Sequence, residues 1–436
     1  MVNDARPGPN FIRKKAMIDS NLNFQAWRQY SHIFSPLDPA LLDQLMWGFP
    51  VGVTDPTTLS VPYTNHASAR NNPQVVEEYI LKHLDTKAIY GPFDCNPLDV
   101  PIIVSPLQVA FSSSGKARVC NDLSYGQVSV NSQISDDWST YPGYEGDLQL
   151  PTIDDAVEAI LECGPGCLLY KTDYSSYYKQ LNTDPGDIPL LGFAYAGKVF
   201  FEARLPFGLR SSCLNAQRVT SAVINIFHHY SPSFLAGYID DCLGVSLSVR
   251  AHQDYHIFIT INNEVRLLCT LPKCVAPCTC LIWIGLELDT LLMQMRLPRD
   301  KRERIIAFLQ GWLERKCATK RDLQSLLGVL NHAASAIICG RAFTGHIIDV
   351  IRQDSFPIDL PQELFKDVNI WLELLQSEVA DGMAFKSPKT IPVDYLVELA
   401  VFDNLIAVRV QENLEVFEIS DNIDFPPEYP TFTLSG

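Results

Sequence analysis

A pair of adjacent aspartates between two short apolar runs constrains this chain more than any other feature of its sequence. Residues 234–238 and 242–247 are apolar stretches of strand length, and they flank Asp240 and Asp241. Two strands joined by so short a connection predict a β-hairpin with both acids at its tip. Adjacent carboxylates repel each other unless water or a cation neutralises them. Taken alone, an Asp-Asp pair is an ordinary turn, because aspartate is a common turn residue.

A third acid upstream changes that interpretation. The apolar residues 167–170 predict a strand that ends at Asp173. An acid at the end of one strand and two at the tip of a neighbouring hairpin would gather three carboxylates around two hard cations. Such cations, about 4 Å apart, activate an attacking oxygen and stabilise a leaving pyrophosphate. The sequence therefore predicts a two-metal site at Asp173, Asp240 and Asp241.

Length and composition place these acids in a folded protein of several modules. The chain has 436 residues, of which 47% are hydrophobic and 19% charged. This balance excludes a disulfide-rich miniprotein and a disordered chain. The first residues lack the apolar segment of a secretory signal, and no apolar run reaches the length of a membrane span. We therefore expect an intracellular protein, in the cytoplasm or nucleus, with no membrane partner.

The twelve cysteines are typical of reduced thiols in such a compartment. Four of them cluster at Cys269, Cys274, Cys278 and Cys280. Their spacing lacks the paired CxxC knuckles of structural zinc sites, so we expect no metal there.

The acidic charge of the chain is concentrated in its last fifth. The formal net charge is −16, which by itself argues against a nucleic-acid partner. Residues 357–436 contain 15 acidic and 4 basic residues, so the first 356 residues carry only −5. Residues 296–322 contain 9 basic and 4 acidic residues, a net of +5. This basic stretch is either a nucleic-acid contact or a solvated helix surface.

Local patterns predict the secondary structure around these features. Apolar residues three to four apart predict a helix over residues 73–84. Thr152 and Thr319 stand where helix caps are expected. Helices are also predicted over residues 152–163, 299–316, 320–340 and 362–377. Strands or hairpins are predicted over residues 102–111, 117–123, 192–205 and 395–419.

With these elements in place, the chain resembles the palm of a reverse transcriptase. Tyr-Ile-Asp-Asp at residues 238–241, the strand ending at Asp173 and Leu-Pro-Phe-Gly-Leu at residues 205–209 carry the resemblance. Further blocks stand in that family's order: Ser-Pro-Leu at 105–107, Gly-Lys-Ala-Arg at 115–118, Asp-Leu-Ser-Tyr at 122–125, Ser-Val-Asn at 129–131 and Leu-Ile-Trp-Ile-Gly-Leu-Glu-Leu, which resembles a primer grip, at 281–288.

The flanking blocks resemble polyproteins of DIRS-type, tyrosine-recombinase retrotransposons. These blocks are Asn-His-Ala-Ser-Ala-Arg at 65–70, Val-Val-Glu-Glu-Tyr at 75–79, Leu-Gln-Ser-Leu-Leu-Gly-Val-Leu-Asn at 323–331 and Gly-Arg-Ala-Phe at 340–343. The resemblance covers about residues 65–376. It implies an α+β right-hand polymerase, divided into an N-terminal extension (1–69), fingers and palm (70–290), a helical thumb (296–356), and a connection with a truncated RNase H-like hairpin (357–436).

The same resemblance assigns the catalytic residues. It implies that Asp173, Asp240 and Asp241 hold two Mg²⁺ ions, with Mn²⁺ as a substitute. Lys273 stands where a palm lysine would protonate the leaving pyrophosphate. Tyr178 would be the aromatic gate under the sugar, where a 2′-hydroxyl would clash and a deoxynucleotide would fit.

The resemblance further implies contacts to deoxynucleoside triphosphates and to a primed RNA or DNA template. The nucleotide contacts would come from Lys116, Arg118, Tyr178, Phe207, Gly208 and Tyr238, with Lys116 and Arg118 on the triphosphate. The primer end would lie on Trp283 and Gly285. The duplex would lie on Arg299, Lys301, Arg302 and Arg304. Without the three acids, Tyr178 and Trp283 would be interpreted as core aromatics and Lys116 as a solvated turn residue.

Two alternatives to an RNA-directed DNA polymerase stay open. Departures from the family pattern, such as serines at 112–114 and Ala216 in place of an aromatic, are also typical of a catalytically inactive nucleic-acid-binding remnant. An RNA-templated RNA polymerase shares the palm, but a bulky gate at Tyr178 selects deoxynucleotides. Residues 399–403 resemble the first strand of an RNase H domain, and one hairpin lacks the further acids of two-metal cleavage, so we expect no RNase H activity. The sequence leaves the oligomeric state open.

Overall fold

The structure is a computed structural model that divides into two compact units. It describes residues 20–54, 64–111, 115, 117–337, 339–353 and 355–385, and the backbone of three strands between 397 and 418. Of these residues, the first unit contains those up to 152 and those from 168 to 278. The second unit contains residues 153–167 and those from 279 onward. The four-part division drawn from the sequence is finer and stays a prediction.

Helices are distributed over both units, and none of those described combines the length and apolar character needed to cross a bilayer. In chain order they are α1 (Phe24–Phe34), α2 (Leu41–Trp47), α3 (Ala67–Arg70), α4 (Pro73–Asp85), α5 (Ile153–Cys163), α6 (Arg210–Tyr230), α7 (Ala251–Val265), α8 (Arg299–Leu313), α9 (Lys320–Ala333), α10 (Gly345–Ile351) and α11 (Gln362–Gln376).

The strands form several small antiparallel sheets. In chain order they are β1 (Ile89–Phe93), β2 (Leu107–Phe111), β3 (Ala117–Asn121), β4 (Leu168–Asp173), β5 (Gly192–Tyr195), β6 (Lys198–Glu202), β7 (Phe234–Tyr238), β8 (Asp241–Ser246), β9 (Val275–Cys278), β10 (Cys280–Trp283), β11 (Leu286–Asp289), β12 (Gln294–Arg296), β13 (Cys317–Ala318), β14 (Ile358–Asp359), β15 (Met383–Ala384), β16 (Val397–Phe402), β17 (Leu405–Val410) and β18 (Asn413–Glu418).

A four-stranded sheet with the order β7-β8-β4-β9 belongs to the first unit. All of its pairings are antiparallel, and helices α6 and α7 pack against it. Tyr170 on β4 is fully buried directly opposite Gly244 on β8. A Cβ at Gly244 would overlap the tyrosine ring, so glycine is required there for the ring to cross the strand. The predicted hairpin and upstream strand are both confirmed.

A second sheet of the first unit has the order β1-β6-β5, and β2 pairs with β3 beside it. The β5–β6 hairpin turns at Ala196 and Gly197, whose φ angles are 49° and 73°. Two consecutive left-handed residues are what a tight two-residue hairpin loop requires. The hairpin predicted over residues 192–205 is therefore confirmed. Helix α4 packs against both β1 and β3, and it spans the predicted residues 73–84.

The second unit combines a sheet of order β10-β11-β12-β15 with helices α8 to α11. Thr319 caps α9 as predicted: its hydroxyl accepts from the Asp322 backbone N–H while the Asp322 side chain accepts from the Thr319 backbone N–H. This reciprocal capping box stabilises the start of the helix. Helix α9 ends at Ala333 rather than at residue 340, and a separate 3₁₀ segment follows at Gly340–Thr344.

The C-terminal strands differ from the prediction. The sequence predicts one hairpin over residues 395–419, but the structure contains three antiparallel strands in the order β16-β17-β18. Strand β18 pairs with β17 along its whole length, from Asn413 opposite Val410 to Glu418 opposite Leu405. The prediction of a single hairpin is therefore wrong, because a third strand, β18, pairs with β17.

Candidate active site

The structure brings the three predicted acids together in the first unit. Strand β4 ends at Asp173, which lies directly opposite Asp241, the first residue of β8. Asp240 occupies the turn between β7 and β8, and its carbonyl oxygen accepts from the Tyr174 backbone N–H at 2.9 Å. Residues opposite each other on antiparallel strands have Cα atoms about 4.5–5.5 Å apart. One end of the sheet therefore carries all three aspartates.

Two lysines balance part of this charge. The Lys171 ammonium lies 2.9 Å from the Asp241 carboxylate. The Lys273 ammonium lies 2.9 and 2.8 Å from the two carboxylate oxygens of Asp173. Lys273 keeps 59% of its side chain exposed, so its ion pair is weak and easily exchanged for water. Lys171, which the sequence analysis did not assign to the site, sits two residues before Asp173 on β4.

The pKa values of Asp240, in the turn, and Asp241, at the start of β8, are raised. Burial raises the pKa of Asp240, and the neighbouring charge of Asp173 raises it further. Burial also raises the pKa of Asp241, although Lys171 opposes that shift. A carboxyl whose pKa is raised by burial and by like charge favours a proton or a cation beside it. The ammonium of Lys171 supplies such a positive charge beside Asp241.

The donor chemistry of this cluster suits Mg²⁺ or Mn²⁺, since hard divalent cations prefer carboxylate oxygens. In the part of the chain that the structure describes, no three His, Cys, Asp or Glu side chains lie close enough together to hold a metal ion as they stand. Lys171 and Lys273 instead hold Asp241 and Asp173. Three carboxylates are suitable ligands for these ions. To bind a metal, Asp173 and Asp241 would have to give up their ion pairs with Lys273 and Lys171.

The predicted gate residue lies beside the predicted nucleotide pocket. Tyr178 follows β4 on the 3₁₀ segment Tyr177–Gln180 and is half-buried. Its ring packs edge-to-face on Phe207, with centroids 5.1 Å apart. Its hydroxyl lies 3.1 Å from the Cys213 sulfur. Tyr177, in contrast, is a core aromatic whose hydroxyl donates to the Ala216 carbonyl at 2.9 Å. The structure thus separates the two adjacent tyrosines by exposure.

The other predicted nucleotide contacts lie around this pair of rings or on β3. Phe207 and Tyr238 are each 38% exposed. Gly208 adopts a φ of +96°, and a Cβ there would lie 2.7 Å from the Asn121 carbonyl oxygen, so glycine allows the close approach. Arg118 is exposed on β3. Lys116 lies outside the described residues.

The predicted primer-grip residues belong to the second unit. Trp283 ends β10 and is fully buried. Its side chain therefore has no surface to offer a primer, and the structure favours the core-aromatic interpretation. Gly285 follows in the β10–β11 turn with a φ of +84°. Its carbonyl oxygen accepts from the Lys301 ammonium at 3.2 Å.

The predicted duplex contacts on α8 have partners within the protein. Arg299 pairs with Glu303 at 3.0 Å, and Arg304 pairs with Asp300 at 2.9 Å. These pairs follow from the i,i+4 spacing of opposite charges on a helix. Their charges are therefore partly compensated before any ligand arrives.

The two remaining cationic side chains of α8 contact residues of other elements. Arg302 donates to Asp381 at 2.7 Å and to the Ser377 carbonyl at 3.1 Å, beyond the end of α11. Lys301 contacts His332 as well as the Gly285 carbonyl, and burial lowers the pKa of Lys301. The sequence predicts a helix face whose cations are free to contact a duplex. The structure differs, because Lys301 and Arg302 are both engaged in tertiary contacts.

The chain has little sequence similarity to known proteins. No protein-family model matches the chain. Polyprotein P3 of Commelina yellow mottle virus is 25% identical over 211 residues, which are 48% of this chain and 10% of that polyprotein. The chain therefore matches only about a tenth of the length of this curated relative.

Solved structures of the foamy viral protease-reverse transcriptase are similar along nearly the whole chain. The dRH form with double-stranded DNA has a TM-score of 0.58, the complex with double-stranded DNA 0.56 and the complex with an RNA/DNA hybrid 0.57. Each is 14% identical and covers 97% of this chain, with 70%, 83% and 54% of those chains aligned. The chain thus has a mixed helix-and-sheet, right-hand polymerase fold like that of retroviral reverse transcriptases.

Proposed function

We propose that this chain is an RNA-directed DNA polymerase that adds deoxynucleotides to a primer on an RNA or DNA template. The carrying observation is the pairing of Asp173 with Asp241 across adjacent strands, with Asp240 in the turn beside them. A right-hand polymerase fold supports this chemistry at that end of the sheet. Its assignment to DIRS-type, tyrosine-recombinase elements rests on the sequence blocks at 65–79 and 323–343.

The three aspartates would hold Mg²⁺, or Mn²⁺ in its place. Bound there, the ions would activate the attacking primer oxygen and stabilise charge on the leaving pyrophosphate. The protein contributes the fixed carboxylates on β4 and β8, whose mutual repulsion favours cations over an empty site.

Lys273 supplies a proton donor in this proposal. Its ammonium lies on Asp173 and its side chain is 59% exposed, so it can leave that carboxylate at little cost. Once released, it would donate a proton to the pyrophosphate oxygen as the bond to the α-phosphorus breaks. Lys171 is more enclosed and is better placed to compensate the charge of Asp241.

Tyr178 would select the sugar. The edge-to-face contact with Phe207 holds the tyrosine ring in place, and a fixed ring rejects a 2′-hydroxyl by steric overlap. This feature supports a DNA polymerase over an RNA-templated RNA polymerase. The flat surface of Phe207 and the close approach at Gly208 would complete the floor of the nucleotide pocket, with Arg118 as a phosphate ligand.

Primer extension tests the proposal directly. The full chain, an oligonucleotide primer and either an RNA or a DNA template are combined with deoxynucleotides and Mg²⁺ or Mn²⁺. Extension on RNA that requires the divalent ion supports the proposal. Binding of the primed template without any extension would instead identify an inactive nucleic-acid-binding remnant. Extension with ribonucleotides alone would identify an RNA polymerase.

A further inference from the structure

Helix α6 holds the acidic turn through side-chain hydrogen bonds. The Gln217 amide donates to the Gly237 carbonyl at 2.9 Å, and its oxygen accepts from the Ile239 backbone N–H at 2.9 Å. The Thr220 hydroxyl donates to the Ile239 carbonyl at 2.6 Å. Both side chains are buried. Three hydrogen bonds thus converge on the two residues that flank Tyr238.

The turn needs such support because its backbone is strained. Ile239 has a φ of +57°, a left-handed conformation that a β-branched residue rarely adopts. Strained residues persist only where their surroundings over-determine them. The bonds from Gln217 and Thr220 satisfy both backbone polar groups of Ile239 in this conformation, and a relaxed turn would lose them.

The strained residue directly precedes the two acids. Asp240 follows Ile239, and its own carbonyl is bonded to the Tyr174 backbone at the end of β4. The turn is therefore fixed on one side to α6 and on the other to the strand that carries Asp173. A change in the conformation of Ile239 would rotate the peptide that leads into Asp240 and move its carboxylate.

We propose that Gln217 and Thr220 are positioning residues for Asp240 and Asp241, and that the cation affinity of the three-aspartate cluster depends on their hydrogen bonds to the turn. This inference rests on the proposed function, in which the cluster binds divalent cations. Groups that orient metal ligands without binding the metal themselves typically contribute 10- to 100-fold in metal affinity or activity. The hydrogen bonds from Gln217 and Thr220 to the turn end on backbone atoms of Gly237 and Ile239, so each side chain acts through the backbone.

The test is Mn²⁺ binding to the full chain, followed by electron paramagnetic resonance, with Asp240→Asn as the reference that lacks the site. Thr220→Val keeps the side-chain volume and removes the hydroxyl, whereas Thr220→Ser keeps the hydroxyl. Gln217→Met keeps the length and removes both hydrogen bonds. Asn225→Leu, on the same helix, is the control for replacing an amide by an apolar group.

Thr220→Val and Gln217→Met are expected to bind Mn²⁺ about tenfold more weakly than the unmodified chain, with Thr220→Ser and Asn225→Leu close to it. If Gln217→Met does not fold, the Thr220 pair carries the test. Unchanged affinity in Thr220→Val overturns the inference. So does equal weakening in Thr220→Ser, or an unmodified chain that binds no better than Asp240→Asn.

Primer extension in parallel separates this inference from the proposed function. Mn²⁺ affinity that depends on Thr220 in a chain that extends no primer supports the inference and refutes the polymerase. If the chain extends a primer but the Gln217 and Thr220 variants bind Mn²⁺ as tightly as the unmodified chain, the proposed polymerase function is supported and the inference is overturned.

Discussion

Asp240 and Asp241 lie where their charges oppose folding. Burial raises the pKa of each carboxyl above its ordinary value, and so does the charge of Asp173. The native state therefore binds a proton more readily than the unfolded chain does, and stability falls as the pH rises above the ordinary carboxyl range. At neutral pH each ionised group lowers the free energy of unfolding, as is common at sites that trade stability for function.

Changing Asp240 to Asn removes a charge but keeps the side-chain shape. We expect the free energy of unfolding to be equal to or higher than that of the unmodified chain, because like-charge repulsion is relieved. Primer extension should fall by several orders of magnitude, because a metal ligand is lost. Urea unfolding and primer extension measure the two effects. Retention of even a tenth of the activity would contradict the metal-site assignment.

Asp254 on α7 is the matched control. It is buried, and the hydroxyls of Ser233 and Ser231 outweigh the effect of burial and lower its pKa. Its ionised form therefore stabilises the fold above the ordinary carboxyl pKa. Asp254→Asn should lower the free energy of unfolding and leave extension by the folded protein largely intact, the opposite pattern to Asp240→Asn.

Tyr178 should control the choice of sugar. Replacing it with Val opens the space beside Phe207 while leaving the phosphate contacts in place, so ribonucleotide incorporation should rise relative to deoxynucleotide incorporation. Single-nucleotide incorporation kinetics measure the ratio. Tyr177→Phe is the control, because Tyr177 is buried and loses only its hydroxyl, which bonds to the Ala216 carbonyl and the Thr220 hydroxyl. An unchanged ratio in Tyr178→Val would make Tyr178 a core aromatic.

His83 on α4 should make the fold sensitive to acid. It is 8% exposed, and burial, followed by the charges of Lys179 and Lys82, lowers its pKa to about 3. Below the ordinary histidine pKa the unfolded chain takes a proton that the native state refuses. Stability is therefore lost as the pH falls from about 6.5 towards 3, by at most about 1.4 kcal/mol per pH unit.

His83→Leu should flatten this loss. We expect the free energy of unfolding to change less between neutral pH and pH values just above the ordinary carboxyl range, where histidines titrate and carboxyls of ordinary pKa do not. Urea unfolding at several pH values measures the slope. The exposed His252 provides the control, and His252→Leu should leave the slope as it is. Equal slopes for His83→Leu and the unmodified chain would mean that His83 is protonated in the native state.

At the scale of elements, the cationic side chains of the two predicted thumb helices, α8 and α9, differ in whether an acidic side chain pairs with them. On α8, Arg299 and Arg304 are compensated by acids one turn away. The exposed Lys316, between α8 and α9, and Arg321, in the first turn of α9, have no acidic partner among the described residues. A cation releases counterions from a nucleic-acid backbone most effectively when its charge is uncompensated. We therefore expect Lys316 and Arg321 to contact phosphates more effectively than Arg299 and Arg304.

A pair of double variants tests that difference. Lys316→Ala with Arg321→Ala should flatten the salt dependence of primed-template binding by up to roughly two units on a double-logarithmic plot, at about 0.9 per lost phosphate contact. Arg299→Ala with Arg304→Ala should flatten it less. Fluorescence anisotropy across a salt series gives both slopes. A larger effect at Arg299 and Arg304 would restore the sequence-based expectation for α8.

For the whole molecule, the uneven charge should set the strength of nucleic-acid binding. Residues 386–436 contain 9 acidic and 3 basic residues, so their deletion would change the net charge from −16 to −10. We expect tighter binding of a primed template at low salt and little difference at high salt, because long-range repulsion is screened. Anisotropy at both salt concentrations measures the effect.

Neutralising charge within the full chain controls for the loss of the segment itself. A variant with Glu398, Glu415 and Glu418 changed to Gln keeps every residue position and removes three negative charges. Its affinity at low salt should fall between those of the full and shortened chains. Tighter binding by the deletion alone would show that the segment acts by something other than its charge.

The sequence by itself determined the elements whose cause is local. The hairpin at Ala196 and Gly197, the capping box at Thr319, and the position of Asp240 and Asp241 where β7 meets β8 all depend on neighbours a few residues away. Their patterns are therefore readable along the chain. The order of the motifs was also sufficient to predict the right-hand polymerase fold, because each motif occupies a fixed place in it.

Tertiary structure alone decided which side chains are free to act. Lys273 meets Asp173 across 100 residues, and Arg302 meets Asp381 across 79. Trp283 is buried, and Gln217 reaches the acidic turn from a different element. Burial and ion pairing depend on residues that are distant in sequence, and no local periodicity encodes them. A motif therefore located the carboxylates, while only the folded chain showed what holds them in place.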